Sequence, residues 1–165
     1  MNLPVSKPMV TNVFLDIIEP DKLLLDLNQK SFTGFLYLVA NTEYHFEENI
    51  IFILKGNVAG SIYLNSFYNI ELFGKTALNL SFNSLGYKKG VLNIYELSSE
   101  QLKLVLIFND KIRCDSKLDK KTISKKNFVF NPALFGSILK NKFPDRIEAK
   151  SDLFDKFNIN ELLRY

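Results

Sequence analysis

The sequence predicts an α+β domain: an antiparallel sheet of about four strands packed with helices, followed by a C-terminal helical tail. Three stretches carry that prediction. The first is the hairpin from Glu48 to Leu64, where EENIIFIL and VAGSIYL flank Lys55-Gly56-Asn57. Ile50 to Leu54 is a continuous apolar run rich in β-branched side chains, the pattern of a strand buried on both faces. Gly56-Asn57 is a connector of the kind that supplies positive φ in a tight turn. The second stretch is Ile70 to Leu85. Here Ile70, Phe73, Ala77, Leu78, Ser81, Phe82 and Leu85 recur at steps of three and four, the period of an amphipathic helix. The third is SSEQLKLVLIF from Ser98, in which Ser98 and Gln101 have the spacing of a reciprocal capping box.

Taken in order, Val10 to Ile18 is β-rich around Val13-Phe14-Leu15 and predicts a first strand. Glu19-Pro20-Asp21 starts a helix, because proline suits the first helical position and an acidic residue the first turn. That helix runs to about Lys30 on a stripe of Leu23, Leu24 and Leu27. Gly34 opens the strand FLYLVA. The hairpin follows, with both faces in need of cover, from helices or from a second chain. The long helix 70–85 ends at Gly86, where a left-handed C-terminal residue is expected. Val91 to Leu97 is a further strand. The helix after Ser98 is apolar almost all round through Leu102, Leu104, Val105, Leu106, Ile107 and Phe108, and such a helix is buried or covered by something else.

Residues 1–109 are thus expected as the core domain. From 111 to 126 seven cations stand against Asp115 and Asp119, a local charge of about +5 in a chain whose net charge is +3. Apolar residues are sparse, so 110–130 reads as a basic flexible loop or linker. Asn131-Pro132 starts a helix with Leu134, Phe135, Ile138 and Leu139 on one side. Ser151 and Asn160 cap two last turns, and 131–165 is expected as a helical tail docked on the core.

Composition excludes several functions. One cysteine, Cys114, permits no intramolecular disulfide, and with one histidine, His45, the usual zinc sites cannot be assembled. The N-terminus lacks the apolar segment of a secretory signal. Unbroken apolar runs are far shorter than the ~20 residues that span a bilayer. A cytoplasmic, soluble chain without membrane contact is expected.

The quoted stretches resemble a family. They are LPVSKPMV; SFTGFLYL with the hairpin GNVAGSIY; FGKTAL; GVLNIYELSSEQLKLVLIFN; and the ending DLFDKFNINELL. Together they are similar to an archaeal family known as a domain of unknown function, over residues 1–109 and 146–165. More distantly they look like PATAN-type domains attached to bacterial signalling proteins. Those share a glycine-led strand, a hairpin with a glycine turn and a Gly-x-x-Ala-Leu helix. The likeness implies a protein-interaction role in signalling.

Candidate chemistry is thin. His45 lies at a strand start with no serine or cysteine nucleophile nearby. Cys114 sits beside Lys111 and Arg113, which would favour its thiolate. Glu43, Glu47 and Glu48 read as a solvated strand start. No glycine stretch fits a phosphate loop. No cofactor and no metal is expected, and the chain is read as a non-enzyme. The reading is a protein-interaction module that binds an unidentified protein or a second copy of itself as a homodimer. Its expected partner surface is Ile51, Ile53, Tyr63, Leu104 and Phe108. The alternative is nucleic-acid binding through 111–126, with Lys117, Lys120, Lys121, Lys125 and Lys126 on phosphate. Stacking on Tyr37, Tyr44, Tyr63, Phe67 or Tyr68 would then have to occur at the surface.

Overall fold

A computed structural model of the chain describes residues 3–4, 6–42, 45–126 and 128–142. The chain forms two compact units, Met1–Phe130 and Asn131–Tyr165.

The first unit is a mixed α and β fold on one antiparallel sheet. Its strands are β1 (Lys7–Phe14), β2 (Gly34–Thr42), β3 (His45–Leu54), β4 (Asn57–Asn65), β5 (Ile70–Phe73), β6 (Gly90–Glu96) and β7 (Arg113–Ser116). Its helices are α1 (Pro20–Gln29), α2 (Gly74–Leu85), α3 (Ser99–Phe108) and the single turn α4 (Lys120–Ile123). The spatial order is β1-β6-β2-β3-β4-β5, and β7 also pairs with β4. Seven strands among the described residues replace the four expected. β5 and β7 lie end to end along one edge of β4, opposite Ile62–Asn65 and Val58–Gly60 respectively.

The hairpin is central, and helices cover both of its faces. On one face Ile51 and Ile53 join Leu36, Leu38, Leu24, Leu27, Leu78 and Phe82, under α1 and α2. On the other, Ile50 and Phe52 join Phe35 and Ile62 beneath Leu102, Val105 and Leu106 of α3. The turn is Lys55-Gly56, one residue earlier than expected, because Leu54 pairs with Asn57. Both turn residues have positive φ, 49° and 79°, as a two-residue hairpin matched to the strand twist requires.

Three further expectations change. Ile70–Phe73 is a strand and not the first turn of the long helix. Its burial alternates, with Ile70 and Leu72 inward, and pairing with β4 satisfies its backbone. Helical periodicity loses here to an open strand edge. Gly86 is right-handed, with φ −79°, so it is not a left-handed cap. It is glycine because a Cβ would stand 2.3 Å from the Phe128 carbonyl oxygen. Finally, the stretch expected as a basic loop carries β7 and α4 between residues 113 and 123. Buried Ile112, Leu118 and Ile123 anchor it to the core, and β7 adds backbone pairing. Spaced apolar anchors among lysines carry too little periodicity to be read from sequence.

In the second unit the described element is α5 (Pro132–Lys142), with Phe135 buried and Leu134 and Ile138 half-buried. The caps expected at Ser151 and Asn160 lie outside the described residues. No described helix is long and apolar enough to cross a membrane.

Candidate interaction surface

The all-round apolar helix α3 is where sequence and structure meet most informatively. Ser98 accepts from the Gln101 backbone N–H at 3.1 Å, and the Gln101 side chain accepts from the Ser98 N–H at 2.9 Å. This capping box satisfies two of the helix's orphan donors. At the other end Asn109 Nδ2 donates to the Val105 carbonyl at 2.9 Å. The ends are therefore fixed, and the helix presents two different apolar faces. Leu102, Val105 and Leu106 are buried against the sheet. Leu104, Ile107 and Phe108 are 53%, 66% and 80% exposed. They stand at steps of three and four, so they form one continuous outer ridge.

Beside the C-terminal end of α3 a cleft of about 220 Å³ opens on the same side of the sheet. Leu3, Ile50, Ile62, Leu64, Phe73 and Ile112 form its apolar wall. Glu71, Asn109 and Lys111 supply the polar part. The Lys111 ammonium sits 3.8 Å from the Phe73 ring centroid, a cation held over an aromatic face. Ridge and cleft adjoin, because Asn109 follows Phe108 directly.

The expected partner surface is therefore split. Leu104 and Phe108 lie on the outer ridge, and Ile107 joins them. Ile51, Ile53 and Tyr63 are not surface residues, since each is at most 1% exposed. A strand buried on both faces looks the same in sequence whether helices or a second chain cover it.

Tyr63 belongs to a buried polar seam between the hairpin and α2 that the sequence reading missed. Glu47, Asn49, Ser61, Tyr63 and Asn65 alternate along β3 and β4 on the α2 side, and all are buried. Glu47 accepts from Thr42 Oγ1 and from Ser84 Oγ, each at 2.7 Å. Burial raises its pKa, so this carboxyl is not the solvated strand start expected. Burial, and next the Glu47 charge, raise the Tyr63 phenol. The signal was present as polar residues at every second position of two paired strands.

The lysines of the alternative reading are set on an ordered frame. Lys117, Lys120, Lys121 and Lys125 are exposed, while Lys126 is half-buried with its ammonium 5.1 Å from the Phe82 ring centroid. Asp119 caps α4 by accepting from the Thr122 N–H at 2.8 Å. Of the aromatic residues named for stacking, Tyr63 is interior, and Tyr37 is half-buried and donates to Glu48 at 2.8 Å on β3. Tyr44 and Glu43 lie outside the described residues, as does the His45 side chain. Cys114 is half-buried in β7. Burial and then Asp115 push its thiol up to about 11, the reverse of the thiolate its basic neighbours suggested.

Residues 1–109 match the family described as an uncharacterized protein conserved in archaea (DUF2226). The chain belongs to that family. No curated protein and no solved structure matches it.

Proposed function

We propose that this member of an archaeal family is a non-enzymatic protein-interaction module that binds through the outer face of α3 and the adjoining cleft. The observation that carries the reading is the ridge of Leu104, Ile107 and Phe108. A helix rigidly capped at both ends holds three large apolar side chains in water, and contiguous exposed apolar surface of this kind marks binding sites. The cleft is below the roughly 300–1,000 Å³ typical of small-molecule sites, so it suits one protein side chain better than a metabolite. A signalling setting, implied by the resemblance of the sequence stretches to PATAN-type domains, is part of this proposal.

The test is affinity capture from native extract alongside measurement of self-association. It compares the natural chain with Leu104→Asp and Ile107→Asp, with and without nuclease. Loss of binding in both variants, with unchanged thermal melts and no nuclease effect, supports the reading. Binding that survives both substitutions ends it. Binding that vanishes with nuclease, and with neutralised Lys117, Lys120, Lys121 and Lys125, transfers the function to nucleic acid.

A further inference from the structure

We infer that the occupant of this surface is a second copy of the chain, with each Phe108 inserted in the other copy's cleft. The inference rests on the interaction reading above and names its partner.

Three observations carry it. The first is placement. Phe108 is the most exposed large apolar side chain described, at 80%, and it stands at the end of α3. The cleft begins at the next residue, Asn109, and continues through Lys111 and Ile112. A projection and a hollow side by side on one face are the elements of a self-complementary contact. A two-fold axis between them places each projection in the other copy's hollow and closes the assembly at two. A projection and hollow on opposite faces would instead propagate into a fibre.

The second is size. At about 220 Å³ the cleft is scaled to a single large side chain, and its walls, Ile50, Ile62, Leu64 and Phe73, offer a phenyl ring apolar contact, with Lys111 over Phe73 at the polar end. Aromatic anchors in fully desolvated pockets dominate the energy of most interfaces.

The third is charge. Among the described residues, the polar part of the cleft carries an exposed anion, Glu71, and an exposed cation, Lys111. Under a two-fold relation Lys111 of one copy meets Glu71 of the other, twice. The same surface therefore meets itself without like charges opposed. Leu104 and Ile107 extend the apolar contact along α3 beyond the anchor.

Sedimentation equilibrium of the full chain, up to about 100 μM, tests the inference. The natural chain is expected to be a dimer. Phe108→Ser removes the anchor, and Leu64→Trp fills the hollow from its half-exposed rim; each should weaken dimerisation at least about thirtyfold, the loss of an interface hot spot. Charge reversal gives a readout that misfolding cannot imitate. Lys111→Glu and Glu71→Lys alter exposed side chains, and each alone should weaken its own dimer by about fivefold, the scale of exposed pairs. Mixing the two variants should restore association as a heterodimer, because both rim contacts again join opposite charges.

A natural chain that stays monomeric overturns the inference. So does a dimer indifferent to Phe108→Ser, or charge variants that gain nothing on mixing. If the chain is monomeric yet an extract protein is lost with Leu104→Asp, the interaction reading stands and the second copy does not. If neither association nor capture depends on α3, both fail.

Discussion

Glu47 Oε2 lies 2.7 Å from the Ser84 hydroxyl, 37 residues later in the chain, so a buried carboxyl ties β3 to α2. Ser84 also lies 3.0 Å from the Leu80 carbonyl, so its one hydroxyl proton is shared between two acceptors. Burial favours the neutral form of the Glu47 carboxyl.

Stability should therefore fall as pH rises. Burial holds the folded-state pKa of Glu47 above its ordinary 4.5, with the hydrogen bonds from Ser84, Thr42 and Tyr63 opposing that shift. The folded chain binds the proton more tightly than the unfolded one. Stability is thus full below the ordinary carboxyl value and declines until pH passes the elevated one. Glu47→Gln cannot ionise and should lack that decline. Denaturant melts from about pH 4 to 8 compare the two. Equal slopes would assign the decline to other groups.

Truncation separates core from ridge. Ile51→Ala and Ile53→Ala remove fully buried side chains and should each cost about 2–5 kcal/mol. Leu104→Ala removes an exposed one and should stay within about 0.5 kcal/mol for the monomer. Urea unfolding at low protein concentration measures all three.

Gly86→Ala should destabilise despite its ordinary helical backbone. The added Cβ meets the Phe128 carbonyl oxygen at 2.3 Å and backbone must move. A loss above about 1 kcal/mol is expected, on the scale of other overpacking changes. A thermal melt that matches the natural chain would contradict the close approach.

Ser98→Ala removes the capping box and should cost about 1 kcal/mol. The loss should appear as faster amide exchange in the first turn of α3. Ser98→Thr should retain most of the protection.

Cys114 should react slowly with thiol reagents. With its thiol pushed up to about 11 from 9.0, the thiolate fraction near neutral pH falls roughly a hundredfold. Labelling kinetics in buffer and in denaturant give the ratio. A rate that is fast in buffer would place the sulfur in water.

What was legible in the sequence was largely local. The α1 start at Pro20, the β2 and β6 strands, the hairpin and the Ser98 box each depend on residues within a few positions, and each forms close to where it was read. What was not legible depended on distant partners. Ile70–Phe73 becomes a strand because β4 offers it an edge, and Arg113–Ser116 joins the same strand. Ile51, Ile53 and Tyr63 were indistinguishable from a partner surface until α2 was placed over them. For α3, sequence showed a helix apolar on every side, and only the fold could say which side faces water. Leu104 and Phe108 do; Leu102, Val105 and Leu106 do not.

Hydrogen exchange measured at low and high protein concentration tests the central claim most directly. Concentration-dependent slowing confined to residues 99–112 and to the cleft strands β4 and β5 is the predicted result. Exchange that ignores concentration, or slowing that falls on 117–126, would contradict it.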